Sequence, residues 1–485
     1  MKLLLRSCSV TALVLGLAAC TTPVPQALHP GDVPSNFTAP TTAETANAPL
    51  WPALAWWDGF SAPELPPLEK TALEENLDLL AAKARVDQAH ARVGISESAL
   101  FPSLNANGNA SRSGTNIAGL PGGNTHNNFS VGGQASYEVD LWGLNRDQLR
   151  AAEESELGSR YAAETTRLTI TADVANTYLQ VLALRQRIAI SKQNIAAAQR
   201  ILAITEAKVQ NGVSSNLELA QQRAVVAGQE ATIPGLEEQE REARYALAIL
   251  LGRAPEGFSV NEVKLDGIVA PAVRAGLPTE LLERRPDVAQ AEASLRAAHA
   301  NVDAARAAFF PHVNLSGSIT QAFNPSTLAW SIGASLLQSV FDGGNLASQS
   351  DLAKAQQMEL LVTYRKTVFS ALSDTESAMG QVSSLQEQER LVTIQEQNAA
   401  EAYRIAELQY REGVTDLLNV LQTQQTLFNT QDNLVQIRLA RLQAGVSLYR
   451  ALGGGWTVAT DPNAPEDRFS PLHYFPIAEA ITGGP

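Results

Sequence analysis

Residues 207–219 read AKVQNGVSSNLEL, and residues 408–420 read LQYREGVTDLLNV. Each sets a Gly-Val step, Gly212-Val213 or Gly413-Val414, between two long stretches free of helix-ending signals. Glycine there supplies the left-handed conformation that stops a helix, so both segments read as tight turns between helices. The turns lie 201 residues apart, as do Gly143 and Gly344, and Leu251-Gly252 and Leu452-Gly453. Upstream, Leu100-Phe101-Pro102-Ser103 matches Phe309-Phe310-Pro311-His312 at a spacing of 209. The difference places an eight-residue insertion between Pro102 and Gly143, where the Gly- and Asn-rich stretch 114–128 forms a longer loop. One plan is copied twice.

From Gly143 to Gln210, and from Gly344 to Arg411, there is no proline and little glycine. Proline breaks helix interiors, so each stretch is expected to be one helix; about 67 residues span roughly 100 Å. Return helices follow, ending at Leu251-Gly252 and Leu452-Gly453. Each copy also begins with a shorter helix. Val288, Ala291, Leu295, Ala298, Val302, Ala305 and Phe309 alternate steps of three and four; Leu79, Ala82, Val86, Ala89, Val93, Ser96 and Leu100 repeat the stripe. That spacing marks a helix packed along its length on others. Pro286 and Asp287 suit a first helical turn.

Between the short and long helices the period changes to two. Phe129, Val131, Gly133, Ala135, Tyr137 and Val139 alternate with small or polar residues, as do Trp330, Ile332, Ala334 and Leu336. Val313, Leu315 and Ile319 mark a third strand, and Ser103–Gly114 a weaker fourth. Two readings fit such strands: the wall of an outer-membrane barrel, or a half-buried sheet of a soluble domain. The N-terminus favours the first. Lys2 and Arg6 precede the short apolar run Val10–Ala19, a secretory leader too short to span a bilayer. Its end, Leu17-Ala18-Ala19-Cys20, resembles the lipobox of bacterial lipoproteins. That resemblance implies acylation of Cys20, and Thr21 after it implies an outer-membrane address. Cys8 leaves with the leader, so no intrachain disulfide forms.

The boundaries expected are a signal peptide, 1–19; a lipid-anchored Pro-rich segment, 20–70; a first repeat, 71–257; a connector, 258–276; a second repeat, 277–456; and a C-terminal tail, 457–485, in an equatorial region. Ten of the 24 prolines fall in residues 23–67, a stretch expected to need no packed core. The composition, 45 % hydrophobic and 18 % charged with a net charge of −14, excludes a disordered chain. It also argues against nucleic acid as a partner, which requires clustered Lys and Arg. The six histidines show no metal-binding spacing. Walker loops, GxSxG elbows and paired cysteines are missing too, so the expectation is no enzyme, no cofactor and no metal. Arg284-Arg285 reads either as an anion site or as a pair bound to nearby acids.

Two hairpins give four strands, whereas single-chain bacterial barrels have at least eight. Open edges cannot stand in lipid, so copies must associate. Two copies give eight strands and a filled interior; three give twelve and an open lumen that the long helices continue.

Several segments resemble the TolC-type outer-membrane factors: Leu281-Leu282-Glu283-Arg284-Arg285-Pro286-Asp287, Ala291-Glu292, Phe310-Pro311, Asp140-Leu141-Trp142-Gly143 and Leu452-Gly453-Gly454-Gly455-Trp456. The lipobox and the terminal Gly-Gly-Gly-Trp resemble its OprM-like, NodT branch. The resemblance implies a mainly α fold with a membrane β part: a homotrimer with a 12-stranded β-barrel continued by a 12-helix periplasmic tunnel. Its implied partners are outer-membrane lipid, a periplasmic adaptor and an inner-membrane pump of the resistance–nodulation–division (RND) type. It implies that the tip meeting the adaptor comprises Asn211, Gly212, Val213, Ser214, Ser215, Arg411, Glu412, Gly413, Val414 and Thr415. Tyr410 and Leu418 match positions lining the aperture above. Gln422 and Gln425 stand where the family often has an acid and a base, which speaks against an ionic latch. Asp416 reads as an acidic ring or as a helix N-cap. The function implied is a passive export duct for small molecules. Metal-ion efflux, polypeptide secretion and a poreless lipid-anchored scaffold are the alternatives, and three methionines disfavour soft metals.

Overall fold

The computed structural model describes residues 33–38, 48–115, 124–261, 264–323 and 325–456. Helices α1 (Leu65–Glu75) and α2 (Leu77–Ser98) lead into strands β1 (Ser103–Thr115) and β2 (Asn124–Val139). The long helix α3 (Leu144–Gln210) and its return α4 (Asn216–Leu250) complete the first copy. The second copy runs α5 (Pro286–Ala307), β3 (His312–Phe323), β4 (Ser326–Leu337), α6 (Asn345–Arg411) and α7 (Leu417–Ala451). Helices α3 and α6 have 67 residues each, and α4 and α7 have 35 each. Among the described residues no helix is long and apolar enough to cross a membrane.

Glycine and aspartate launch the long helices. Gly143 and Gly344 adopt φ of +89° and +88°, turning the chain out of the sheet. Asp140 accepts the Arg146 N–H at 3.0 Å, and Asp342 accepts that of Leu346 at 2.8 Å, satisfying first-turn donors. The Leu-Gly anchors have a packing reason as well. A Cβ on Gly252 would lie 2.2 Å from the Glu75 carbonyl oxygen, and one on Gly453 would lie 1.9 Å from that of Arg284. Glu75 and Arg284 are themselves 209 residues apart, so the same close approach occurs in both copies.

The strands form one antiparallel sheet in the order β1-β2-β3-β4. Pairing of β2 with β3, from Ser130↔Ala322 to Val139↔Val313, joins the hairpins of the two copies. The stretch 114–128 is partly strand rather than all loop, because pairing continues to Thr115↔Asn124; residues 116–123 lie outside the described residues.

Two other expectations need correction. In α2 the anticipated stripe does pack on α3, with Leu79, Ala82 and Ala89 buried. In α5 the buried set is wider, adding Ala289, Ala293, Ala297, Ala300, Ala304 and Ala307, while Phe309 is exposed. The reason is that α5 lies between α3 and α6 and is covered from two sides. The N-terminal segment and the connector, moreover, are core. Trp56, Trp57, Phe60, Val260, Leu265, Ile268 and Val273 join Tyr178, Leu182, Leu247 and Tyr449 in the main apolar cluster. Trp56 stacks on Tyr449 at 5.2 Å, and the Tyr449 hydroxyl donates to the Pro271 carbonyl at 2.9 Å. Aromatic burial of this size explains why prolines rather than disorder shape the segment.

Candidate functional site

Residues opposite one another in a sheet share a face, and successive residues alternate. The register therefore sorts every strand residue. On one face lie Leu104 and Ala106 of β1, Val131, Ala135 and Val139 of β2, Val313, Leu315 and Ile319 of β3, and Trp330, Ile332 and Leu336 of β4. Most of them are open, with Leu104, Trp330 and Ile332 79 %, 72 % and 83 % exposed, while Ala135, Val139 and Val313 are half-buried. The other face carries Asn105, Asn107, Asn109, Gln134, Ser136, Asn314, Ser316, Ser318 and Ser331. Ser103 with Ser136 and Ser318 with Ser331 pair hydroxyl to hydroxyl at 2.7 and 2.8 Å. The charges on this face sit at its helix-side rim, where His312 Nδ1 lies 2.6 Å from Glu138 Oε1. A sheet with one mainly apolar exposed face and one polar face, its acid held at the rim, can separate lipid from water.

At the far end of the long helices the two turns lie side by side. Gly212 and Gly413 have φ of +70° and +80°. The Val213 N–H returns to the Lys208 carbonyl and that of Val414 to the Gln409 carbonyl, both at 2.8 Å, closing each helix. Ser215 caps α4 by accepting the Glu218 N–H at 3.2 Å. Of the residues expected at the tip, Asn211, Gly212, Val213, Ser215, Arg411, Glu412, Gly413 and Val414 are exposed, with Ser214 and Thr415 half-buried. Val213 and Val414 present apolar side chains that are 74 % and 75 % exposed.

The aperture residues separate into two groups. Leu418, Gln422 and Gln425 are exposed and follow one face of α7 by helical spacing. Gln425 donates to Asn429 at 2.8 Å. Asp416 is the N-cap, accepting the Asn419 N–H at 3.1 Å. Tyr410 departs from that face. Its ring is buried among Ile201, Tyr403, Ala406, Leu417 and Val420, and its hydroxyl is 3.0 Å from Thr205 Oγ1. The Lys208 ammonium stands 4.0 Å from the ring centroid and donates to the Tyr410 carbonyl. Lys208 and Thr205 thus tie the end of α3 to the end of α6. Sequence reading passed over both; the cation in the last turn of α3, where it suits the helix dipole, was the available signal. Two helical turns above, burial with Glu407 nearby pushes the Tyr403 phenol up to about 12.

Arg285 is bound to acids: Asp287 at 2.6 Å and Asp374 at 3.2 Å, while Arg284 lies over the Trp51 ring at 4.6 Å. Among the described residues no group of three or more His, Cys, Asp or Glu is placed to hold a metal. Cys20 lies outside the described residues.

A two-faced sheet, 67-residue helices and an exposed helical tip define a class of envelope-spanning export proteins. The family model for outer membrane efflux proteins matches residues 68–253 and 277–454, and the chain belongs to that family. It is 42 % identical over 415 residues to the pyoverdine export outer membrane protein OpmQ of Pseudomonas aeruginosa, covering 83 % of this chain and 87 % of the relative. The OpmQ of Pseudomonas putida is 37 % identical over 456 residues, covering 92 % and 96 %. Among solved structures, the outer-membrane channel OprN superposes with a TM-score of 0.80 at 28 % identity, covering 89 % of this chain and all of OprN. The chain is an outer-membrane efflux component.

Proposed function

We propose that three copies of this chain form a passive export duct for small molecules. In this reading four strands from each copy close a twelve-stranded barrel in the outer membrane, and the long helices continue it as a periplasmic tunnel. A periplasmic adaptor meets the paired turns, and an inner-membrane RND-type pump supplies the energy. Acylated Cys20 anchors the chain to the membrane. The observation that carries the proposal is the sheet: one mainly apolar exposed face, one polar face and, among the described residues, two edges, β1 and β4, without a partner strand. Such edges are not sustained in lipid. Similarity to the pyoverdine export protein OpmQ supports a small organic cargo over a metal ion. The face of α7 carrying Leu418, Gln422 and Gln425 lines the aperture, and the tie from Lys208 and Thr205 to Tyr410 holds it narrow.

Planar-bilayer recording tests this directly. The purified trimer is expected to insert and conduct poorly, and the double variant Tyr410→Phe/Leu418→Ser to conduct at least about tenfold more, as removing a hydrogen bond and an apolar constriction each weakens closure by about 1 kcal/mol. Inserted trimers of the double variant that pass no current would overturn the duct and leave a lipid-anchored scaffold.

A further inference from the structure

The chain carries a net charge of −14, yet two of its arginines, Arg85 and Arg92 on α2, are exposed and make no ion pair or hydrogen bond with any described residue. They stand two helical turns apart in sequence, and so share a face about 10 Å apart along the axis. The direction of that face decides what the pair can do. Helix α5, the counterpart of α2 in the second copy, carries Ser294 and Asn301 at the equivalent positions, 209 residues on. These two line an open groove with Ser155 and Ser159 of α3 and Gln356 of α6. The opposite side of α5 holds the ion pairs Arg296–Glu154 at 2.9 Å and Arg150–Asp303 at 3.1 Å.

Chirality fixes which side of the helices continues the polar face of the sheet. A Cβ on Gly132 would lie 2.9 Å from the Ile319 carbonyl oxygen, so Ile319 bonds toward β2, and Ser318, its neighbour on the polar face, bonds toward β4. In a strand of L-residues running upward, the backbone groups of a residue that faces the viewer lie to the right. Seen from the polar side, with β3 rising toward its hairpin, β4 is therefore on the right and β2 on the left. Helices α3 and α6, which continue β2 and β4, flank α5 in the same order. Helix α5 rises as β3 does, and a right-handed helix turns clockwise by about 100° per residue seen from its N-terminus. Ala289 and Ala293 pack toward α3 on the left, so the residues that follow them, Gln290 and Ser294, turn toward the viewer. The groove lies on the polar side, and the ion pairs lie on the side of the apolar face.

Helix α2 sits on α3 as α5 sits on α6. His90 lies 3.3 Å from Glu156, and His299 lies 3.1 Å from Gln357; the two pairs match at the offsets of the duplication, 209 and 201. We infer that Arg85 and Arg92 face the interior of the duct and form a cationic band that draws organic anions, above all carboxylates, into the tunnel below the barrel. The inference rests on the duct proposed above and adds the charge class of its cargo. Planar guanidinium groups bind carboxylates through two parallel N–H donors. Little opposes them. The groove over α5 is lined by uncharged residues except Glu359 at its edge, and the polar face of the sheet holds its acid, Glu138, against His312 at the rim. In this stretch each copy therefore sets two guanidinium groups against one carboxylate. Three copies repeat that excess, and a cleft lined by one sign of charge concentrates ions of the other.

Reversal potentials across planar bilayers in a KCl gradient test the band. The purified trimer, opened by Tyr410→Phe/Leu418→Ser, is expected to lose at least about threefold in its chloride-to-potassium permeability ratio when Arg85→Gln/Arg92→Gln is added. Arg85→Lys/Arg92→Lys, which keeps the charge, is expected to retain the ratio. Citrate added on the periplasmic side is expected to block current through the arginine form and to leave the glutamine form conducting. Lys83 stands on the opposite side of α2, at the position of Glu292, and Lys83→Gln is expected to leave the ratio unchanged. A trimer that conducts with the same ratio and the same citrate block in its arginine and glutamine forms overturns the band and leaves the duct intact. A loss that lysine fails to retain is structural and overturns it too, as does a shift produced by Lys83→Gln in place of the arginine variants. A trimer that passes no current in any form removes the duct itself.

Discussion

Glu69 is a side chain ill at ease in its surroundings. It lies fully buried on α1, and neither carboxylate oxygen has a hydrogen-bond partner. Burial pushes its carboxyl well above the usual range, with the Arg167 guanidinium opposing. A carboxyl raised in the folded state takes up its proton more readily there than in the unfolded chain. Its contribution to stability is therefore complete below the unfolded value of about 4.3 and is lost as pH rises through the folded value. Glu69→Gln, which cannot ionise, is expected to leave the thermal midpoint at pH 4 nearly unchanged and to raise it at pH 8 by about 2 °C or more. Thermal scans at one heating rate across that range check it, and a midpoint lowered at pH 8 would mean that the carboxylate is needed. Nothing in the local sequence Leu68-Glu69-Lys70 sets Glu69 apart from Glu74 or Glu75, because its burial comes from elements remote in the chain. Gly212, Gly413, Gly252 and Gly453, by contrast, were legible in advance, since the left-handed conformation they adopt is a local requirement that few other residues meet.

Helices were the most legible elements. The absence of proline between Gly143 and Gln210 and between Gly344 and Arg411 is a local property, and both predicted spans became single helices of 67 residues. Strands were less so. Ser103–Gly114 has few large apolar residues, and β1 exists because its backbone pairs along β2. The α5 stripe was misjudged for a related reason: one stripe suits one neighbour, and α5 has two. At the tip, Val213 and Val414 are exposed apolar residues whose removal costs the protomer little. Val213→Asp with Val414→Asp is therefore expected to shift stability by less than about 0.5 kcal/mol while abolishing export in cells, because a desolvated charge disfavours docking. Small-molecule export assays beside thermal melts separate these outcomes. Unimpaired export would remove the turns from the adaptor contact.

At the scale of the whole molecule the chain is half of several contacts. Its apolar sheet face, its β1 and β4 edges and the outer faces of α2 and α6 are open in one protomer. Cys20→Ser is expected to eliminate incorporation of labelled fatty acid while the trimer still forms and conducts, because closure depends on the strands and helices rather than on the anchor. Labelling that persists in the variant would refute Cys20 as the acylation site. The sequence by itself determined the duplication, the lengths of the long helices, the turns and the alternation of the strands. Each follows from chain-local chemistry: glycine φ, proline exclusion and the period of two or 3.6. Only the tertiary structure decided that the hairpins join through β2 and β3, that the Pro-rich segment and connector belong to the core, and that Tyr410 faces inward onto Thr205 and Lys208. Those outcomes depend on which surfaces meet across hundreds of residues, and burial by a distant partner leaves no mark on the residues nearby in sequence.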